Sequence, residues 1–331
     1  MSDAFDLITM GRVGVDIYPN EIGVPLADVT SFSKFLGGTA TNVAVAAARL
    51  GNRAAVITKV GDDPFGPYVR RALEGFGVDP RYVGTHPTLR TPVVFCEIHP
   101  PDDFPLLFYR EPQAPDMTVA PEELDLDAIR AARVFWTTGT GLSAEPSRTS
   151  VLAALAARDE APAGAITAHD LDWRPMFWAE PERAGELQRA ALAHATVAVG
   201  NRDEVEVAVG TRDPHEASAR LLDLGVQIAV VKQGPDGVLA RTRERVVEVP
   251  PIRLEVVNGL GAGDAFGGAL VHALLHGWDV ERAVRLANAA GAYVASQLAC
   301  ADAMPSIEIL APLVGDPALA GAPRADTEVR A

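Results

Sequence analysis

The chain has 331 residues, 48% hydrophobic and 22% charged, and it carries 29 basic against 44 acidic side chains. The net charge of −15 would repel a nucleic-acid backbone, and no apolar run approaches the roughly 18 residues that a membrane helix needs. Cys96 and Cys300 lack a metal-binding spacing, and the acidic start MSDAFDLITMG is unlike a secretory signal. We therefore expect a globular cytoplasmic protein without nucleic-acid or membrane partners.

Short apolar runs alternate with helical patterns along most of the chain. The predicted strands are FDLITMG, AAVITKVG, ARVFWTTG, AITAHDLD, ATVAVGN and QIAVVKQG. The predicted helices are TNVAVAAARLG, FGPYVRRALEGFG, RTSVLAALAARDE, AGELQRAALAHA and HEASARLLDLG. This alternation predicts an α/β fold with a mainly parallel central sheet and helices on both faces. Ligands of such sheets bind beyond the carboxyl ends of the strands.

Two segments interrupt the alternation, residues 17–36 and 92–116. The second contains VVFCEIHPPDDFPLLFYRE, whose turn-forming HPPDDFP predicts an antiparallel pair of strands. We expect both segments to form a small β-strand lid, and an exposed lid that pairs with a second copy predicts a homodimer. Residues 312–331 are rich in Ala, Pro and Gly without periodicity, which predicts a flexible tail.

Five glycines lie within ten residues, from Gly259 to Gly268, where a helical pattern begins near Asp264. Free backbone N–H groups at a helix start can hold an anion, and bare glycine backbone lets a phosphate approach. The dinucleotide motif would need glycine at Asp264, and the Gly-Lys-Ser/Thr of a P-loop is missing. A plain strand-to-helix turn remains an alternative. As an acid beside an anion hole, Asp264 is a candidate base for a hydroxyl that attacks a phosphoryl group.

Four segments together resemble the ribokinase-like carbohydrate kinases, the PfkB family. GGTATNVAVAAARLG (37–51) resembles the first family signature, and GAGDAF (261–266) resembles the second. VGDDPFG (60–66) and NRDE (201–204) resemble two further family motifs. The resemblance covers about residues 5–311 and implies one ribokinase-like kinase domain over that range, with ATP and Mg²⁺ as cofactors.

The resemblance also implies roles for single residues. Asp264 is the catalytic base, and the anion hole consists of the amides of Gly261, Ala262 and Gly263. Asn201 and Glu204 organise the phosphates and Mg²⁺, with Glu204 acting through water. The residues that border the nucleotide are Lys232, Gly234, Gly237 and Asn288. Taken singly, NRDE and KQGPDG are equally compatible with a helix start and a β-turn.

One position departs from the family pattern. The family usually has Asp where this chain has Asn258. An amide can donate and accept hydrogen bonds but carries no charge. A monovalent-cation requirement, which is possible in this family, is therefore in question.

On the sugar side, the resemblance implies Asp16, Gly37, Gly38 and Asn42 as contacts, although a plain turn and a solvated strand end are alternatives. GRVGVDIYP, FSKFLGGTATN, PPDDFPLLFYRE, DLDWRPMFW and CADAMP resemble the 5-dehydro-2-deoxygluconokinase branch, which phosphorylates the 6-hydroxyl of a deoxy keto sugar acid in inositol catabolism. Guanidinium groups suit such a carboxylate. The arginines in or beside these segments are Arg12, Arg90, Arg110 and Arg174. Any of them is also compatible with a structural ion pair.

The segment HDLDWRPMFW groups His169, Asp170 and Asp172. Strand alternation would turn the two acids to one face, but two carboxylates and one His make a weak metal site, so we favour strand-end structure or substrate contact. The rival functions are a 2-keto-3-deoxygluconate kinase, another sugar kinase of the family, and a catalytically silent sugar- or nucleotide-binding regulator. The intact GAGD disfavours the regulator, and the glycine spacing disfavours a dehydrogenase.

Overall fold

The computed structural model describes residues 4–315. The strands are β1 (Leu7–Met10), β2 (Gly14–Pro19), β3 (Phe32–Gly37), β4 (Ala54–Gly61), β5 (Val78–Asp79), β6 (Val83–His86), β7 (Val93–Cys96), β8 (Leu106–Tyr109), β9 (Val134–Thr138), β10 (Ile166–Asp170), β11 (Val197–Asn201), β12 (Ile228–Lys232), β13 (Val238–Arg241) and β14 (Val246–Val249). The α helices are α1 (Thr39–Arg49), α2 (Phe65–Gly75), α3 (Leu126–Ala131), α4 (Ser147–Ala157), α5 (Ala184–Leu192), α6 (Arg202–Val209), α7 (Pro214–Asp223), α8 (Ala262–Leu275), α9 (Val280–Ala295) and α10 (Ile307–Val314).

The central sheet has the strand order β14-β13-β12-β11-β10-β9-β1-β4-β5, and β6 also pairs with β4. All pairings from β12 across to β5 are parallel, and the β12–β13 and β13–β14 pairings are antiparallel. The six runs predicted to be strands form β1, β4, β9, β10, β11 and β12. The prediction of a mainly parallel sheet is confirmed.

Helices cover both faces of the sheet because adjacent residues of a strand point to opposite sides. In β9, Val134 and Trp136 pack with residues of α1, α8 and α9, whereas Phe135 packs with residues of α4 and α5. In β11, Val199 belongs to the same cluster as Val134 and Trp136, whereas Ala198 packs with residues of α6 and α7. A strand buried on both faces needs a continuous apolar run, which explains why these strands were recognisable in the sequence.

A separate four-stranded sheet, in the order β3-β2-β7-β8, forms the lid. Strands β7 and β8 are antiparallel and joined through the predicted turn, where His99 and Asp103 form a further bridge. The first lid strand begins at Gly14, three residues before the start that the sequence suggested. It begins there because Gly14 pairs with Gly37 at the end of β3.

Helix α8 packs directly against α1 at its glycines. A Cβ on Gly268 would lie 2.3 Å from Ala46 Cβ and 2.9 Å from Val43 O, so no larger residue fits there without movement. The close approach brings the first turns of the two helices together. These turns carry Asn42 on α1 and Asp264 on α8.

The last described helix, α10, ends at Val314 and includes Pro312, so residues 312–314 are helical where the sequence suggested a tail. Leu310 in this helix is fully buried, and its packing holds the segment although Pro312 lacks an N–H donor. Gly315 caps this helix, and the remaining residues of the expected tail, 316–331, lie outside the described residues. Among residues 4–315, no helix combines the length and the apolar character that a membrane crossing requires.

Candidate active site

A cleft of about 540 Å³, counting the open space at its mouth, lies between the lid and the start of α8. Residues from distant parts of the chain line it. Those anticipated from the sequence are Arg12, Asp16, Gly38, Asn42, Arg110, Arg174, Gly261 and Asp264. The lid adds an apolar wall of Val94, Leu106 and Phe108, whose alternate neighbours face away from the cleft. Arg90 is exposed and is not part of this lining.

Asp264 occupies the first turn of α8, directly after the glycine-rich turn. Gly261 precedes the helix with φ +81°, and the first intrahelical bond runs from Ala265 N to Gly261 O. The preceding amides, including those of Ala262 and Gly263, therefore have no partner within the helix. Burial raises the pKa of Asp264 to about 6, although a 2.8 Å bond donated by Asn42 Nδ2 lowers it. Asp264 is thus a base with a pKa close to neutral, beside an anion-binding helix start.

Asn42 has a further feature suited to a polar ligand. Its Nδ2 is engaged with Asp264, but its Oδ1 is buried and has no hydrogen-bond partner. A buried acceptor without a partner costs free energy unless a ligand or water satisfies it. In this cleft, a hydroxyl of a bound molecule can donate to it.

Lys232 and three carboxylates lie near the glycine-rich turn that precedes α8. A Cβ on Gly263 would lie 3.2 Å from Lys232 Nζ, so the ammonium group sits against the start of α8. Burial alone would lower the pKa of Lys232, but the charges of Asp170, Glu204 and Asp264 raise it above its usual value. Burial raises the pKa of Asp170 well above its usual value, and the charge of Glu204 adds to this. From the sequence, Asp170 was expected to serve strand-end structure or substrate contact rather than this site.

The NRDE segment forms a capping box at the start of α6. Asn201 Oδ1 accepts bonds from the amides of Asp203 and Glu204, both at 2.9 Å, and Glu204 Oε2 accepts a 2.6 Å bond from Asn201 N. The interpretation of this segment as a helix start is therefore correct. The same bonds fix the buried Glu204 carboxylate at the carboxyl end of β11, beside Asp170 and Lys232.

The other nucleotide candidates lie around the ends of β12 and β14 and outside the lining of the cleft. Gly234 has φ +60° with open space around it, as a turn requires. A Cβ on Gly237 would lie 2.2 Å from Val249 O, so glycine is needed there for close backbone packing. Asn288 donates a 2.9 Å bond to Pro250 O and thereby supports the loop after β14. Their roles toward a nucleotide stay predictions.

The three arginines of the cleft differ in how far their charges are already satisfied. Arg12 lies 3.1 Å from Asp172 and bonds Thr39, and its side chain is 8% exposed. Arg110 makes bonds of 2.6 and 3.2 Å to Asp116, whose side chain is 1% exposed.

Arg174 is less engaged. Its side chain is 40% exposed, its Nε lies 3.6 Å from Asp172 Oδ1, and that Nε has no hydrogen-bond partner. Of the three guanidinium groups, that of Arg174 is therefore the most available to a ligand.

Asp16 projects from lid strand β2 into the cleft. Gly37 and Gly38 make room for it and for its surroundings. A Cβ on Gly37 would lie 2.0 Å from Asp16 Oδ1, and one on Gly38, at φ +107°, would lie 2.4 Å from Arg12 O. Burial raises the pKa of Asp16 to about 6, against a bond from Tyr18 and the charge of Arg12, which both lower it.

A family model for pfkB family carbohydrate kinases matches residues 5–307 of the chain. The chain belongs to this family. Its curated relatives include a 5-dehydro-2-deoxygluconokinase of Geobacillus thermodenitrificans, 33% identical over 310 residues that make up 92% of this chain and 91% of the relative. A protein of the same name from Photobacterium profundum is 34% identical and covers 92% and 93% of the two chains.

Solved structures agree with this pfkB-family assignment. A putative ribokinase II from E. coli, in complex with ATP and Mg²⁺, has a TM-score of 0.85 at 23% identity and covers 94% of this chain and 99% of its own. A fructokinase from Vibrio cholerae, with fructose, ADP and calcium bound, has a TM-score of 0.82 at 26% identity and covers 94% and 100%. The protein therefore has the ribokinase-like fold and is an ATP-dependent sugar kinase.

The pfkB family implies Mg²⁺, and the residues present fit it. Asp170 and Glu204 supply carboxylate oxygens, which Mg²⁺ prefers, at the edge of the sheet where Lys232 also ends a strand. Within residues 4–315 no group of three or more His, Cys, Asp or Glu side chains is arranged to enclose a metal. Two carboxylates suit an ion that keeps several waters.

Two further residues in this pfkB-family chain bear on the sequence predictions. His169 is fully buried, lies 2.8 Å from Thr137 Oγ1 and 2.7 Å from Gln188 Oε1, and burial lowers its pKa to about 4. It therefore acts as a neutral core residue. Asn258 donates a 2.7 Å bond to Leu298 O and accepts a 3.1 Å bond from Leu260 N, so both ends of its amide are used.

Proposed function

We propose that the protein transfers the γ-phosphate of ATP to the 6-hydroxyl of 5-dehydro-2-deoxy-D-gluconate. One observation carries the proposal: a base of near-neutral pKa, Asp264, and the partly exposed guanidinium of Arg174 line one cleft. A kinase for a sugar acid needs a base for the hydroxyl and a cation for the carboxylate. The names of the curated relatives support the same acceptor.

In this mechanism, Asp264 takes the proton of the acceptor hydroxyl as the oxygen attacks the γ-phosphate. The amides of Gly261, Ala262 and Gly263 stabilise the charge that develops on the transferred phosphoryl group, together with Lys232. Mg²⁺ held through water by Asp170 and Glu204 would neutralise the phosphates. Asn42 keeps Asp264 oriented through its 2.8 Å bond and offers its Oδ1 to the sugar. Asn201 orients Glu204 through the capping box, and the nucleotide lies along Gly234, Gly237 and Asn288.

The substrate carboxylate pairs with Arg174, because its Nε lies 3.6 Å from Asp172 without a hydrogen bond, whereas the other two arginines are hydrogen-bonded to buried carboxylates. The ion pairs of Arg12 with Asp172 and of Arg110 with Asp116 would have to be broken before either could form a bidentate pair with a ligand. Breaking a buried pair costs several kcal/mol. Arg12 and Arg110 therefore stay paired with their counterions, and Arg174 contributes the direct contact.

The lid also forms the interface of a homodimer in this proposal. Its outer face carries a row of rings, in which the ring centroids of Phe32 and Tyr109 lie 5.5 and 5.6 Å from that of Phe95 in edge-to-face contacts. Phe32, Leu107 and Tyr109 are 39%, 48% and 60% exposed. An apolar sheet face of this kind gains cover from a second copy. Tyr109→Lys should produce monomers in light scattering, whereas Val246→Lys, at an exposed apolar site on β14, should not.

Identification of the product tests the proposed reaction. The protein is incubated with ATP, Mg²⁺ and 5-dehydro-2-deoxygluconate, and the phosphorylated carbon is assigned from phosphorus–proton couplings in NMR spectra. The proposal requires a phosphate ester at carbon 6 with stoichiometric ADP. An ester at another carbon, or ATP hydrolysis without an ester, would contradict it.

We propose that this reaction takes place in the cytoplasm, where ATP is supplied and the free thiols of Cys96 and Cys300 stay reduced.

A further inference from the structure

Tyr18 is a buried lid residue that no part of the proposed mechanism uses. It lies two residues after Asp16 on β2, so both side chains point to the same face of the lid sheet, toward the cleft. Tyr18 is 2% exposed, and its hydroxyl lies 2.7 Å from Asp16 Oδ2 and 2.9 Å from Cys300 Sγ. The three polar groups form a short chain at the wall of the cleft.

The direction of the hydrogen bonds in this chain follows from the donors available. Tyr18 has one hydroxyl proton, and an ionised Asp16 can only accept. The Tyr18 hydroxyl therefore donates to Asp16 Oδ2, and its oxygen accepts the proton of the Cys300 thiol. Burial raises the pKa of Cys300 and of Tyr18 well above their usual values, so both keep their protons.

The hydrogen bonds among Asp16, Tyr18 and Cys300 leave one oxygen of Asp16 open to a ligand. Oδ2 is engaged by Tyr18, while Oδ1 lies over the bare Cα of Gly37, where a Cβ would be 2.0 Å away. Asp16 is 8% exposed and makes no other side-chain hydrogen bond within the described part of the chain. Its orientation in the cleft thus depends on the Tyr18 hydroxyl.

Cys300 extends this row of hydrogen-bonded side chains to the phosphate end of the cleft. A Cβ on Gly261 would lie 2.8 Å from both Cys300 Cβ and Cys300 Sγ, so the thiol packs directly on the turn that begins α8. Tyr18 and Cys300 are 282 positions apart in the sequence, and their contact joins the lid to that turn.

We propose that Tyr18, supported by the thiol of Cys300, is a positioning residue that holds the Asp16 carboxylate in the orientation that accepts hydroxyl groups of the acceptor sugar. The proposal rests on the sugar site of the proposed function. A purely structural role, in which Tyr18 only packs against Phe35 at 5.5 Å, is the alternative. The two roles differ in what loss of the hydroxyl does to acceptor binding.

Tyr18→Phe removes the hydroxyl and keeps the ring. We expect KM for the acceptor to rise about tenfold, while KM for ATP and kcat stay within about threefold, because the phosphate end and Asp264 are unchanged. The matched control is Tyr82→Phe, which removes a hydroxyl 3.5 Å from Asp125 outside the cleft and should leave all constants unchanged. Cys300→Ala should raise the acceptor KM in the same direction, and Cys300→Ser, which keeps a donor, should restore it.

The pH profile gives a second readout that packing alone would not alter. The bond from Tyr18 lowers the pKa of Asp16, so its loss should move the acidic limb of acceptor kcat/KM to higher pH. The profile of kcat, which follows Asp264 in the complex, should not move. The titratable groups that face Asp16 are Arg12, Tyr18, Tyr68, Cys96 and Cys300.

The measurements use the acceptor with the highest kcat/KM for the wild-type protein, so an error in the sugar-acid assignment leaves this test intact. An acceptor KM within twofold of wild type in Tyr18→Phe, or a parallel rise in KM for ATP, overturns the proposal. If Tyr18→Phe does not fold, as judged by its thermal midpoint, Cys300→Ala and Cys300→Ser decide. Equal constants for these two variants then overturn it.

Discussion

Replacing Asp264 by Asn separates the chemistry of the site from its architecture. The amide has the same shape as the carboxylate, and its oxygen can still accept the 2.8 Å bond from Asn42. The anion-binding turn precedes the substituted side chain and should be unchanged. Only the ability to take a proton is lost, so we expect kcat to fall about 10²- to 10⁴-fold while ATP binding is retained.

The same substitution should stabilise the fold at neutral pH. A pKa raised from 3.8 to about 6 means that ionised Asp264 costs the folded state at most about 3 kcal/mol at pH 7. Wild-type stability should therefore decrease as pH rises from about 4 to about 6, and Asp264→Asn should lack this component. Steady-state ADP release, ATP titration calorimetry and urea unfolding at pH 5 and 7 measure the three quantities. A kcat within threefold of wild type would refute the assignment of Asp264 as the base.

Three further predictions follow from the same geometry. In the wild-type enzyme, kcat should fall as pH decreases through about 6, because protonated Asp264 cannot accept the hydroxyl proton; a flat profile between pH 5 and 8 would argue against this. Arg174→Gln should raise KM for the sugar acid about tenfold to a hundredfold but leave KM for a neutral acceptor unchanged, and the exposed Arg90→Gln should change neither. Asn258→Asp should lower the free energy of unfolding by about 1–3 kcal/mol, since the variant loses the donor to Leu298 O. The kcat of the wild-type enzyme should be equal in potassium and in tetramethylammonium salts.

The parts of the site that depend on local sequence were predictable. The turn that precedes α8 lies within a few residues of the chain, and its glycines are required by backbone geometry: Gly261 has φ +81°. The same holds for the strand ends and for the lid hairpin with its Pro-rich turn. Periodicity and turn chemistry act over short distances, so they can be read without knowledge of the fold.

The ranking of the arginines could not be obtained in this way. Arg12 is neutralised by Asp172 and Arg110 by Asp116, and the first of these pairs joins positions 160 residues apart. From the sequence, a metal-binding role for Asp170 was disfavoured for a similar reason. Its proximity to Lys232 arises only when the carboxyl ends of the parallel strands β10 and β12, with β11 between them, lie at one edge of the sheet. Counterions of this kind depend on strand order, which the sequence pattern did not specify.

The acceptor preference of the wild-type enzyme tests whether the protein is a kinase for a sugar acid. ADP release is measured under identical conditions with 5-dehydro-2-deoxygluconate, 2-keto-3-deoxygluconate, fructose, ribose and adenosine. We expect the highest kcat/KM for 5-dehydro-2-deoxygluconate, with neutral acceptors about tenfold to a hundredfold lower, because a neutral sugar cannot form the charge-assisted pair with the guanidinium of Arg174. A neutral sugar or nucleoside with the highest kcat/KM would contradict it.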